Sequence, residues 1–479
     1  MSALRTAIAN AAPGSRINIA AGIYDVGSTP IKIEGRQGVE IVGAGRGQTI
    51  LRGNGSAQFI IELAGSNENL KVSSLTIEGA TTLSTNTHGL ASGGNRINLR
   101  GARFFDLEVK NVAVGISVVA SGAGICNDVE ITNNYLSNIQ DFRNSAGTTS
   151  GSGYGIHNEA CTQVRIAGNV IRNADRHSIY QATAYQPDRP GPGSIVIEEN
   201  LIIDHARTSS LTNSWLVALA VARSSNVVVA HNVIVNSYRD AISIENPPAE
   251  SRTYVVQNVR LIGNTVLGSR EADVFLTASG GFTFWGNKFY RGDAASAPSA
   301  PFVRKDGAGL SGSLVEPSGY SGTQAMTSAP SFSSVTVMQN NLVLGRAMTS
   351  YNSDPAGWSK ISSTYVWTGF EDLASSSSRV YVAVGRRLVE VDPATGGWRS
   401  SPTVFPTRSV AAYTNGRLVL VSGNQFYRFD SVLGTTTAGL PGGGQVRGMA
   451  AFRGKLYLYV GSCHYEVDAA TLASTTIGC

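Results

Sequence analysis

The chain has 479 residues, 54 of them glycine, with 42% hydrophobic residues, 15% charged residues and a formal net charge of +5. That length is too great for one ordinary core but suits a solenoid with a second domain. The weak positive balance comes with no basic run, aromatic RNA-binding motif or zinc-finger spacing, which argues against nucleic acid as the partner. No apolar run reaches the ~18 residues of a membrane span. No secretory leader precedes the first ordered segment, so the chain reads as a mature form with an added Met1.

Residues 2–12 predict a short helix with Leu4 and Ile8 on one face, Ser2 as N-cap and Pro13-Gly14 as the stop. Short strands with period two follow, at Ile17–Ile19, Ile23–Val26, Ile31–Ile33, Val39–Val42, Thr49–Leu51, Phe59–Ile61 and Leu75–Ile77. From Val129 the pattern locks into a repeat. Apolar segments open at Val129, Val164, Ile195, Val227 and Val259, with spacings of 35, 31, 32 and 32 residues. Each leads to an asparagine, at Asn134, Asn169, Asn200, Asn232 and Asn264, and then to a second turn residue at Asn138, Asn173, Asp204, Asn236 or Gly268. Asn287 opens a looser sixth copy.

A repeat of this length cannot bury its own apolar face, so successive copies must stack. The expected fold is an all-β, right-handed parallel β-helix in which asparagine takes the left-handed bends and its amides bond along the stack. The N-terminal helix is expected to cap the open end. The β-helix is expected over residues 1–305, with its exit and a linker over 306–330.

A second repeat occupies 331–479. Strands open at Asn341, Arg379, Arg417 and Lys455, and the units end on Asp354, Asp392, Asp430 and Asp468, 38 residues apart. Strand, glycine turn, strand and aspartate turn is similar to a β-propeller blade, loosely of kelch or quinoprotein type. Four such blades make a small propeller-like domain; the likeness is too slight to imply a cofactor.

Cys126 and Cys161 each lie three residues before an equivalent strand, hence in one column on adjacent coils at disulfide distance. Cys463 and Cys479 are placed to close the C-terminus. Two pairs with none left over point to an oxidising compartment, and so to a secreted protein.

The opening Ala3-Leu-Arg-Thr-Ala-Ile-Ala-Asn-Ala-Ala-Pro-Gly-Ser-Arg-Ile-Asn-Ile-Ala-Ala-Gly-Ile-Tyr24 resembles the start of pectate-lyase-like β-helix proteins, as do Val39–Gly45 and Thr49–Gly53. The resemblance spans roughly residues 3–305. It implies the superfamily of polysaccharide lyases, glycosidases, epimerases and phage tailspikes, without choosing among their reactions.

With the register fixed, outward columns can be read. One column runs Asp141, Arg176, Arg207, Arg239 and Glu271; its neighbours hold Asp175, Tyr238 and Arg270 on one side and His177 and Asp240 on the other. Stacked arginines about 5 Å apart repel by roughly 1–3 kcal/mol per pair. Either the nearby carboxylates offset this as a surface salt ladder, or the column is a track for an acidic polysaccharide whose carboxylates arginine grips bidentately. Four insertions, at 140–153, 183–193, 208–215 and 246–254, flank it.

Cleaving a uronic acid polymer by β-elimination requires a cation at the carboxylate, a base for the C5 proton and an acid for the leaving oxygen. His157, His177, Tyr180, Arg176 and Arg239 are the expected catalytic group. Arg207, Tyr154, Tyr238, Asp240, Asn158, Arg270 and Glu271 are the expected substrate contacts. Each histidine taken alone is equally well a structural ladder residue. A glycoside hydrolase using Asp240 with Glu271, or Asp175 with Asp240, is the competing chemistry. A glycan-gripping tailspike or adhesin is the non-catalytic alternative. The sequence names no certain cofactor; the carboxylates would admit Ca²⁺ without compelling it. Monomer and homotrimer both stay open.

Overall fold

A computed structural model describes residues 1–93, 97–120, 124–142, 151–182, 195–206, 216–245, 256, 258–271 and 273–276, then strands at 282–285, 287–290, 303–305 and 314–315. Beyond these it describes strands between 335 and 414, residue 405, and residues 416–431, 434–444 and 446–479.

The first part is a right-handed parallel β-helix with three stacks of strands. In the first stack Val129, Val164, Ile195, Val227 and Val259 are successive partners. In the second, Leu136, Ile171, Ile202, Ile234 and Val266 follow one another. In the third, Ile116, Ile156, Ile179, Leu219, Ile242 and Val274 do so. These residues are at most 1% exposed and form one continuous core. The strand Arg103–Val112 bends through the first two stacks, pairing with both Cys126–Thr132 and Tyr135–Ile139. Parallel pairing continues to Leu314–Val315, inside the stretch expected to be exit and linker.

The cap is a helix over Ser2–Ala9 that buries Ile8 and rests Leu4 on the core. Its N-cap is Met1, with no side-chain cap bond, not Ser2; the chain enters the helix one residue earlier than expected.

The two asparagine columns divide the work expected of one. The first runs inside the coil. Asn169 Nδ2 donates to Asn200 Oδ1 at 2.9 Å, Asn200 to Asn232 at 2.9 Å, and Asn232 to Asn264 at 3.0 Å. The second column takes the bends: Asn138, Asn173, Asp204 and Asn236 have φ between 52° and 56°. A short polar side chain tolerates that conformation where a branched one would not.

Both disulfides form. Cys126–Cys161 joins adjacent coils, and Cys463–Cys479 ties the last strand to its neighbour. No helix among the described residues is long and apolar enough to cross a membrane.

The C-terminal part contains three antiparallel four-stranded sheets, Phe370–Ser400, Ser409–Gly439 and Val446–Gly478, preceded by smaller ones. The last sheet lies against the outer side of the second stack. Leu201, Ile203, Val233, Val235, Leu267 and Tyr290 share a core with Met449, Phe452, Tyr457 and Tyr465. Arg172 pairs with Glu466 at 2.8 Å, and Arg453 donates to Asn133 Oδ1 at 2.6 Å.

Candidate functional site

The third stack carries the densest chemistry, on the strands Tyr154–Glu159 and His177–Ala182. Their register sets His177 beside Tyr154, Tyr180 beside His157, and Ala182 beside Glu159. Ile156 and Ile179 point into the coil and are fully buried. The pleat therefore turns His157, Glu159 and Tyr180 outward.

Four rings meet there. Tyr154 stacks on His157 with centroids 4.7 Å apart, and lies 5.3 Å from His177 and 5.6 Å from Tyr180. Tyr180 is 5.4 Å from His157 and 5.2 Å from His177. His157 Nε2 lies 3.2 Å from Glu159 Oε2, and its Nδ1 lies 3.4 Å from the Ser117 hydroxyl. The Arg176 guanidinium stands over the Tyr154 ring at 5.3 Å. From the turn beyond the next strand, Arg223 Nη2 donates to the Tyr180 hydroxyl at 3.4 Å.

Burial dominates the electrostatics. His177 is 3% exposed, with Nδ1 3.0 Å from the Val217 carbonyl. Burial and the Arg176 charge hold it far below the usual imidazole range, so it is neutral. Burial raises the Tyr154 phenol well above its ordinary range and raises Tyr180 against the pull of Arg223. Both tyrosines hold their protons. Two carboxyls go opposite ways. Burial would raise Glu159, but the hydrogen bond and charge of His157, with Arg223 behind them, bring it below the usual carboxylate range. Burial raises Glu245, against the Ser243 hydroxyl that donates to it and the Arg223 charge.

Glu159, Ala182, Ala222 and Glu245 form one outer column. The two glutamates are three strand steps apart, about 14 Å between backbones. Arg223 follows Ala222 in the chain, with φ 51°. It acts electrostatically on both carboxyls.

The remaining expected residues lie elsewhere. Arg239 pairs with Glu271 at 2.6 Å, the salt-ladder arrangement. It precedes Asp240, whose strand is two steps from His177. Asp240 is fully buried. The Tyr238 ring is covered by the Arg270 guanidinium at 3.5 Å. Asn158 is fully buried inside the coil, donating to Gln181 Oε1 at 2.6 Å, and meets no solvent. Arg207 lies outside the described residues, as do most of the insertions.

Sequence reading missed Glu159, Arg223 and Glu245. The two glutamates were detectable, since the column two residues beyond His157 and Ser243 holds them. Arg223 sits in a turn outside any column, and nothing in the repeat marks it.

No group of three or more His, Cys, Asp or Glu side chains among the described residues converges as metal ligands do.

No protein-family model matches the sequence, and no curated protein matches it. Solved structures are similar to it in fold. An alginate lyase from Paenibacillus sp. str. FPU-7 is 17% identical, with a TM-score of 0.42, over 65% of this chain and 97% of that one. The catalytic unit of the GH87 α-1,3-glucanase of Streptomyces thermodiastaticus strain HF3-3 is 18% identical, with a TM-score of 0.45; the match covers 66% of this chain and 64% of that one. The A-module of the mannuronan C-5 epimerase AlgE6 of Azotobacter vinelandii is 16% identical, with a TM-score of 0.36, over 67% of this chain and 95% of that one.

Proposed function

We propose that the protein is a secreted polysaccharide lyase that cleaves an acidic, uronic-acid-containing glycan by β-elimination at the His157–Tyr180–Arg223 cluster. The observation that carries this reading is a guanidinium on a protonated phenol, 3.4 Å away, beside an imidazole held by a carboxylate. These are the cation, acid and base that elimination requires.

Arg223 neutralises the substrate carboxylate and so acidifies the C5 proton. Glu159 holds His157 through Nε2, and Nδ1 gives up its 3.4 Å contact with the Ser117 hydroxyl to take that proton. The C5–H electron pair becomes the C4–C5 double bond as the C4–O bond breaks. Tyr180 gives its proton to the leaving oxygen, and solvent returns the proton from His157 to Tyr180. Two disulfides suit an oxidising, extracellular setting.

The test is incubation with a panel of uronic acid polymers, read by the ultraviolet absorbance of the conjugated alkene and by reducing ends. Both signals rising together support elimination. Reducing ends without the alkene would transfer the site to a hydrolase.

A further inference from the structure

The axial line of arginines was expected either to form a salt ladder or to carry the glycan along the rod. In the structure the two guanidiniums aimed at the ring cluster lie on a different line. Arg176 immediately precedes the strand His177–Ala182, and Arg223 immediately follows its partner Val217–Ala222. These strands pair in register from His177 with Val217 to Ala182 with Ala222. The two arginines therefore stand at opposite ends of one strand pair, about 23 Å apart along the backbone at ~3.3 Å per residue. Their side chains lean toward each other, Arg176 over Tyr154 and Arg223 onto Tyr180. Between them lie two aromatic rings 5.6 Å apart.

Arg176 is half-buried. It forms no ion pair with the described residues, and its Nε is buried without a hydrogen-bond partner. Arg239, two steps along the same axial line, is instead tied to Glu271. A desolvated guanidinium over a ring, with donors to spare, is suited to a planar carboxylate.

We propose that Arg176 is a second carboxylate subsite, and that the acidic glycan crosses the third sheet along the strands, from Arg176 over Tyr154 and Tyr180 to Arg223, rather than running along the solenoid axis. This rests on the glycan reading above. Arg223 takes the carboxylate of the sugar being cleaved. Arg176 takes that of a sugar further along the same chain, and the two rings face the sugars between.

The test uses the full chain silenced by Tyr180→Phe and calorimetric titration with uronate oligosaccharides. Adding Arg176→Gln is expected to weaken binding of a hexasaccharide about tenfold and to leave a disaccharide unchanged, since a disaccharide cannot reach both cations. Arg176→Lys, which keeps the charge without the planar fork, is expected to recover part of the loss. Arg165→Gln is the charge control, on the first stack and paired with Glu198; it should change neither. Equal losses for both lengths, or no loss for the hexasaccharide, would overturn the crossing path while leaving the lyase reading intact. No binding of either oligosaccharide, with no alkene from the unaltered protein, would overturn both.

Discussion

Arg223 reaches back from the turn after its own strand to donate to the hydroxyl of Tyr180 on the neighbouring strand, at 3.4 Å. The contact joins the cation and the acid of the proposed elimination into one unit. Arg223→Gln and Tyr180→Phe are each expected to lower turnover by about 10²–10⁴-fold. The double variant should lose little more than the worse single one, because groups that act together are not additive. Initial rates of alkene formation check this, with unchanged far-ultraviolet circular dichroism as the folding control.

The amide ladder is expected to be worth several kilocalories per rung. Asn200 Oδ1 accepts from Asn169 N at 3.0 Å and from Asn169 Nδ2 at 2.9 Å, while its own Nδ2 donates to Ile166 O and Asn232 Oδ1 at 2.9 Å each. Asn200→Ala removes four buried hydrogen bonds at once, while Asn169 Nδ2 keeps Ile131 O and Asn232 Oδ1 keeps the Asn200 backbone N–H. At ~1–3 kcal/mol for each unsatisfied group, tempered by relaxation, the expected loss is about 3–5 kcal/mol. Denaturant titration of the two proteins measures it.

Docking of the last sheet depends on glycines that let backbones approach. A Cβ at Gly448 would overlap the Tyr290 ring, and one at Gly268 would sit 2.8 Å from His464 Nε2. Gly448→Ala is therefore expected to loosen the sheet from the β-helix and expose apolar surface along Leu201, Val233 and Leu267. Limited proteolysis should then release a stable N-terminal fragment faster than from the unaltered protein.

Acid should weaken the same contact. His464 stacks on Tyr459 at 4.4 Å, and its Nε2 lies 3.1 Å from the Leu267 carbonyl. Burial, opposed by that hydrogen bond and aided by Arg270, lowers its imidazole from 6.5 to about 4. The unfolded chain takes up this proton near 6.5, and the folded one only near 4. The stabilisation is thus complete above pH 6.5, lost as pH falls from 6.5 to about 4, and not lost further below that. His88, lowered to about 4, and His205, lowered to about 3, act in the same direction. The thermal midpoint should be flat above pH 6.5 and decline below it. His464→Gln, which keeps a donor for Leu267, should make that decline shallower.

The sequence by itself determined the coil. A period near 32 residues, alternating isoleucines and valines and a repeated asparagine specify which strands are neighbours, because parallel pairing copies the period into space. That is why the spacing alone sets Cys126 beside Cys161 on adjacent coils. The tertiary structure alone decided what corner and turn residues do. It chose the salt ladder for Arg239 and Glu271, which share a column, and it alone brought Arg223 into the ring cluster from a turn, since a side chain beyond the strand end answers to local packing and charge rather than to register. Docking of the last sheet left only a faint trace, the unbroken apolar runs Leu201–Ile203 and Val233–Val235, where one-sided burial would alternate. Those runs say that both faces are covered; what covers the outer one became evident only when residues more than two hundred positions away were found upon it.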